Sequence, residues 1–386
     1  MAGPEHLPTL VAALGFLVGA IFGAAAQRSN FCTMGAISDA VTFGDWRRMR
    51  MWLLAIAVAI AGVAVLRMTG AIDTAKSLYT GSRIAVLSLA TGGFLFGFGM
   101  TLGSGCASKT LIRIGGGNLK SLIVLVFIGI SAFMTLKGVF ALWRMEALDP
   151  VRIDVGGVGA ATSDLPALAA ALGMPAAVTM LLPFAIALAI AVWVFGSREF
   201  RMSREMVIGG IVVGAVVVAG WYISGHVGHL AEDPNTLEER FVGTNSGRME
   251  SLSFVAPLAY LLELLIYWTD ASRVFTFGIA LALGAIVGSA AMAIATKTFR
   301  WEGFTSTDDL VHHIAGGILM GFGGVTALGC SIGQGITGVS TLAAGSFVAF
   351  LAIVAGCVAA LRYQVWRIER TEPRPPVNAA GTSGVS

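Results

Sequence analysis

Charge is scarce in this chain. Lys, Arg, Asp and Glu make up only 12% of its 386 residues, and 25 basic against 22 acidic side chains leave a formal net charge of +3. No basic face with interleaved aromatics appears, which excludes nucleic acid as a partner. Cysteine is also sparse: Cys32, Cys106, Cys330 and Cys357 are the four, and none falls in a CxxC or a zinc-ligand spacing. All four lie in or beside apolar runs, not in the loop framework of a small secreted domain, so no disulfide scaffold is expected. A nucleotide-binding motif and an Asp-rich coupling site are missing too. These absences remove an ATP-driven pump and a metal centre, and no cofactor is expected.

What is abundant is apolar surface. Hydrophobic residues make up 56% before the 50 glycines are counted, and the mean hydropathy is +0.81. A spanning helix needs about 20 mostly apolar residues. Ten such runs follow one another: 7–26, 49–69, 84–104, 119–143, 166–195, 206–225, 252–269, 274–296, 310–329 and 337–361. The first lacks a basic n-region and carries Gly-xxx-Gly spacing, so it reads as a packed helix, not a cleaved signal. Residues 144–164 and 226–250 are the two long hydrophilic breaks and read as loops outside the bilayer. The cationic stretches are RSNFCTMGAISDAVTFGDWRRMR, SREFRMSR at 197–204, and the C-terminus with Arg362, Arg367 and Arg370. The positive-inside tendency places all three in the cytoplasm and the N-terminus outside. That parity needs an odd number of spans. The expected fold is therefore an all-α polytopic membrane protein of about nine transmembrane helices, with one run falling short of a full crossing.

An internal repeat organises the chain. Residues 92–106 and 316–330 align without a gap and match at 8 of 15 positions: Gly92, Gly93, Leu95, Gly97, Phe98, Gly99, Gly105 and Cys106. A looser copy keeps the frame, with Gly19, Gly23 and Cys32 spaced like Gly93, Gly97 and Cys106 and like Gly317, Gly321 and Cys330. A fourth has Gly284 and Gly288, with Lys297 where the thiol would be. The reading is two related, pseudo-symmetric halves. Residues 1–143 form the N-terminal half, 144–273 a divergent middle, 274–362 the C-terminal repeat and 363–386 a disordered cytoplasmic tail ending in TEPRPPVNAAGTSGVS.

Two glycines four apart give a helix a face that admits close backbone approach. In each copy that face leads to a cysteine about two and a half turns later. Beyond Cys106 and Cys330 lie polar, glycine-rich stretches, ASKTLIRIGGG and SIGQGITG, before the next apolar run. Broken helices at membrane depth are tolerated only inside protein or along a watery cavity. Cys106 and Cys330 are thus expected at the tips of broken or re-entrant elements near the midplane. Helix N-termini there, with Lys109, Arg113 and Arg28 nearby in sequence, suit an anion, and a thiol adds a polarisable S–H that can meet a soft sulfur atom. Cys357 reads as a small packing residue. Glu263 is an intramembrane acid, either functional or near a helix end and paired with Arg273. His312 and His313 read as interfacial, and Lys137 and Arg67 as snorkelling side chains.

The segments QRSNFCTMGA, GFGMTLGSGCASKT and GFGGVTALGCSIGQGITG resemble those of the YeeE/YedE family of bacterial inner-membrane proteins. The resemblance covers both halves; the middle, about 144 to 250, carries none of it. It implies an hourglass-shaped permease for thiosulfate, with short helices and loops dipping from both sides to a constriction. The anion would pass from thiol to thiol along Cys32, Cys106 and Cys330. Gly105, Gly329 and Gln334 would shape the constriction, with Lys109, Ser331, Arg28 and Asn30 supporting it. Lys109 and Thr110 stand where the other loop has Gly333 and Gln334, so the two loops present different groups. Some relatives carry a fused sulfur-carrier domain that this sequence does not show, so the resemblance implies a separate small cytoplasmic carrier as partner. Other family members are associated with other sulfur or selenium compounds. Two further classes stay open from the residues alone: a membrane enzyme that cycles the cysteines through disulfides or persulfides, and a passive channel in which they merely pack.

Overall fold

The computed structural model describes residues 6–233, 237–270, 274–304 and 306–371. It is helical almost throughout. In chain order the helices are α1 (Leu7–Ser29), α2 (Thr33–Ser38), α3 (Arg47–Met68), α4 (Val86–Leu102), α5 (Ala107–Gly115), α6 (Leu119–Lys137), α7 (Val139–Trp143) and α8 (Leu165–Ala171). They continue with α9 (Ala176–Phe195), α10 (Arg198–Met202), α11 (Arg204–Tyr222), α12 (Ala256–Ile266), α13 (Phe277–Ala295), α14 (Thr307–Thr326) and α15 (Ala344–Thr371). Two two-stranded antiparallel ribbons, Arg83–Ile84 with Ile153–Asp154 and His229–Leu230 with Arg240–Phe241, complete the described residues.

Eight of these helical segments are long and apolar enough to cross a bilayer: those led by α1, α3, α4, α6, α9, α11, α13 and α15. Helix α14 is also 20 residues long, but its first turn carries Asp308 and Asp309. With it the long helical segments number nine among the described residues, of which eight are also apolar enough to cross. The run 252–269 falls short, because α12 has only 11 residues. The run 166–195 is broken between α8 and α9 around Gly173, whose positive φ of 84° ends the first helix. At the C-terminus α15 continues to Thr371, past the boundary expected at 362; residues 372–386 lie outside the described residues.

Polar contacts sort the helix ends onto two faces. On one, Arg28 pairs with Glu205, Arg50 donates to the Trp193 and Val194 carbonyls, Lys120 pairs with Asp309, and Arg367 pairs with Asp308. On the other, Arg67 pairs with Asp164, Lys76 with Glu239 and Lys137 with Glu263. Lys137 and Arg67 are therefore anchored by carboxylates instead of only snorkelling. The Glu263 carboxylate is buried against Lys137 at 2.6 Å, and Arg273 lies outside the described residues. His313 is buried against Asp309, while His312 meets Arg367 and Asp308 at the helix end.

Glycines set how closely the helices lie. A Cβ on Gly19 or Gly23 would stand 2.1 Å from the Leu281 or Ala285 carbonyl oxygen of α13. The relation is reciprocal, for Gly284 and Gly288 would meet the Phe16 and Ala20 oxygens of α1 at 2.1 and 1.9 Å. Gly93 and Gly97 face α15 in the same way, and Gly317 and Gly321 face α6. Lipid tails give no hydrophobic drive for helix association, so backbone contact of this kind is what holds the helices together. The N- and C-terminal repeats thus interlock, α1 on α13 and α4 between α14 and α15, instead of standing apart as two bodies.

Candidate functional site

Three helices end in the same way, and each ending delivers a cysteine. Helices α1, α4 and α14 stop at a residue in the left-handed region, Asn30 (φ 53°), Ser104 (φ 56°) and Leu328 (φ 57°). The next N–H reaches back five residues: Phe31 to Ala26, Gly105 to Met100 and Gly329 to Gly324. This six-to-one bond with a left-handed residue is a Schellman cap. Cys32, Cys106 and Cys330 follow at once, the first two heading α2 and α5 and the third heading the short helical segment 331–340, whose Gly333–Gly338 stretch is π-helical. The chain therefore turns immediately before each thiol.

As heads of helices, these cysteines meet free backbone N–H groups. Gly35 N–H donates to Cys32 Sγ at 3.3 Å, and Gly333 N–H donates to Cys330 Sγ at 3.3 Å. A sulfur that accepts from its own helix keeps its S–H free to donate elsewhere. Cys106 makes no such cap bond; its thiol lies 3.2 Å from the Ser108 hydroxyl. Cys32 and Cys106 are neighbours in the fold. Ser331 Oγ, which has no well-aligned hydrogen-bond partner, stands beside the Cys106 thiol. Cys106 and Cys330 are fully buried and Cys32 is 7% exposed. All four cysteines are free, and Cys357 stays on α15, where Thr101 donates to its sulfur.

The supporting residues divide. Lys109 Nζ donates to Asn30 Oδ1 at 2.6 Å, joining the Cys106 helix to the cap ahead of Cys32. Gly105 and Gly329 leave room for the Lys109 and Gln334 side chains, which an added Cβ would meet at 3.2 Å. Gln334 donates to the Ala327 carbonyl, while its Oε1 is buried without a partner. Arg28 stands apart from the other supporting residues; it is exposed on the surface with Glu205. The fourth repeat also reads differently. Lys297 (φ 57°) is the left-handed cap residue of α13, with Thr298 N–H reaching back to Ala293, so it corresponds to Asn30, Ser104 and Leu328 and not to a thiol position.

Several neighbours carried no sequence signal. The Tyr79 hydroxyl and Ser253 Oγ face Gly333, and Trp52 packs on Gly335 while stacking on Phe350 at 4.5 Å. Eight buried side-chain polar atoms have no hydrogen-bond partner among the described residues, and five of them, Thr33 Oγ1, Trp52 Nε1, Ser331 Oγ, Gln334 Oε1 and Ser346 Oγ, belong to the thiol-bearing segments or pack against them. Orphaned polar atoms at this depth are expensive unless water or a polar ligand visits them. A cavity of about 480 Å³ lined by Asn30, Ser104, Lys109 and Arg113 opens on the face of Arg28. Another of about 570 Å³, lined by Arg67, Lys76, His226 and His229, opens on the opposite face. Among the described residues no cluster of His, Cys, Asp or Glu could hold a metal ion.

Fold and site together define a polytopic membrane protein with three buried cysteines placed by the same helix cap, among buried polar atoms that lack a partner. A family profile described as "Sulphur transport" matches residues 28–359. The chain belongs to this family, the YeeE/YedE group that its cysteine segments resemble. It is 27% identical over 355 residues to the thiosulfate transporter TsuA of Spirochaeta thermophila, across 89% of this chain and 96% of that protein. With the Escherichia coli thiosulfate transporter TsuA it shares 26% over 345 residues, 83% of this chain and 86% of that one.

Proposed function

We propose that the chain is a thiosulfate permease in which the anion crosses the constriction past Cys32, Cys106 and Cys330. The observation that carries this is the threefold cap, which turns three separate helix ends so that each places a thiol at the head of the next helix. Backbone N–H groups hold Cys32 and Cys330 by sulfur, leaving S–H groups able to donate to the terminal sulfur of the anion. Helix N-termini favour its charge, and the orphaned hydroxyls and amide oxygen offer partners for its water or oxygens. The relatives' names supply the substrate. In this reading the arginine-rich face lies in the cytoplasm of a bacterial inner membrane, the N-terminus outside, and a separate carrier protein receives the sulfur.

Purified protein in liposomes tests it. Wild type should take up radiolabelled thiosulfate, and Cys106→Ser or Cys330→Ser should slow uptake by about tenfold or more, roughly 1.4 kcal/mol of lost transit stabilisation. Uptake unaltered by either substitution would demote the thiols to packing. The proximity of Cys32 to Cys106 supports one rival, a dithiol–disulfide cycle. That reading requires a Cys32–Cys106 disulfide to accumulate during turnover, which mass spectrometry of alkylated protein would detect.

A further inference from the structure

We infer that the cavity bounded by Lys109, Arg113, Lys120 and Arg300 is a second anion site, which takes tetrahedral dianions by charge alone and does not separate thiosulfate from sulfate. It rests on the permease reading only in lying along the anion's route. Four cations and two carboxylates, Glu302 and Asp309, line it. Asp309 is engaged by Lys120 at 2.6 Å, and Glu302 accepts from the Asn118 amide. Lys109 and Arg113 each spend one donor on a cap, on Asn30 Oδ1 and the Ser104 carbonyl, and keep the others. Arg300 is exposed; its backbone N–H donates to the Gly116 carbonyl, while its guanidinium makes no hydrogen bond or ion pair with any described residue. At about 30 Å³ per water, 480 Å³ holds an anion with part of its hydration shell.

The chemistry of the lining decides selectivity. Ammonium and guanidinium groups donate to oxygen and respond to total charge, which thiosulfate and sulfate share. No cysteine lines the cavity, so nothing there rewards a polarisable sulfur. The cavity and the constriction nevertheless meet, because Asn30 and Ser104 stand two residues ahead of Cys32 and Cys106. The cavity would thus hold such dianions indiscriminately on the cytoplasmic side, and only the thiols would tell them apart.

Equilibrium binding of radiolabelled sulfate to the purified full-length protein at low salt tests this. Sulfate should bind wild type and Cys330→Ala equally, be displaced by unlabelled thiosulfate, and weaken as ionic strength rises. Arg300→Gln should weaken it about tenfold, the effect of one unit charge on a dianion at ~6 Å in a water-like dielectric. Arg300→Lys should retain it. Sulfate that fails to bind wild type, or binds Arg300→Gln unchanged, would overturn the site. Thiosulfate uptake by the same preparations separates the two ideas. Uptake without sulfate binding leaves the permease and removes the cavity site, whereas sulfate binding without uptake does the reverse.

Discussion

Replacing Gly97 with alanine adds one methyl group, and the structure says where it must go. Its Cβ would lie 2.0 Å from the Ile353 carbonyl oxygen, 2.8 Å from that carbonyl carbon and 3.0 Å from the Cys357 nitrogen. All three are backbone atoms of α15, so no side chain can swing aside. Restoring ordinary contact at 3.4 Å needs about 1.4 Å of separation at this point. The seam resists it elsewhere, because Gly93 and Gly356 hold the same two backbones together on either side. Overpacking typically costs 1–3 kcal/mol, and a rigid obstacle puts Gly97→Ala at about 3 kcal/mol, with Gly97→Leu worse. Thermal unfolding of the detergent-purified protein gives the readout, with graded controls. Gly81→Ala meets nothing within 4 Å and should be silent. Gly129→Ala meets the mobile end of Leu262 at 2.8 Å and should lose little. Gly321→Ala meets the Ile128 oxygen at 2.5 Å and should lose more. A Gly97→Ala midpoint equal to that of Gly81→Ala would refute the claim that backbone contact, and not side-chain filling, holds these helices.

Ser340→Ala removes the acceptor of the fully buried Trp221 indole N–H, now at 3.0 Å. It should cost about 1–3 kcal/mol, with much of that loss absent when Trp221→Phe is already in place; additive losses would sink the hydrogen-bond account. Burial pushes the Glu250 carboxyl, in the connection before α12, up to about 7. The folded state then holds its proton more tightly than the unfolded chain, so stability falls as pH rises from about 4.5 towards 7 and stays lowered above it. Glu250→Gln should raise the unfolding midpoint at pH 8 and bring little change at pH 5. An equal shift at both values would point to packing and not to the carboxylate.

Much of this architecture was legible because glycine and cysteine report different constraints in one frame. The Gly-xxx-Gly pairs mark helix faces in backbone contact, and the structure puts such a contact at every pair of the repeat. The caps were less visible. A left-handed helix end usually advertises itself with glycine, but here Asn30, Ser104, Leu328 and Lys297 fill the position. Without the cap as a landmark, glycine spacing alone put Lys297 two residues out of step. Arg28 shows a second limit of reading along the chain. It precedes Asn30 by two residues, yet a helix turns about 100° per residue, and the guanidinium emerges on the side of Glu205. Tyr79, Trp52 and Ser253 sit far from the thiols in sequence, so only the folded contacts bring them near Gly333 and Gly335.

The join between glycine and cysteine has a mechanical reason. Gly23, Gly97 and Gly321 each precede their cysteine by nine residues, and the helix ends about a turn and a half beyond the glycine. The glycine fixes the helix laterally against α13, α15 or α6, with no compressible side chain between the backbones. The Schellman cap then closes through hydrogen bonds that set the turn, and the cysteine follows with no free linker. The position of each thiol is thereby tied to a backbone contact less than three turns away. On the permease reading proposed above, a constriction that holds a small anion between sulfur atoms needs that stiffness. Loops of ordinary flexibility would let the thiols wander by more than the contact distance they are meant to keep.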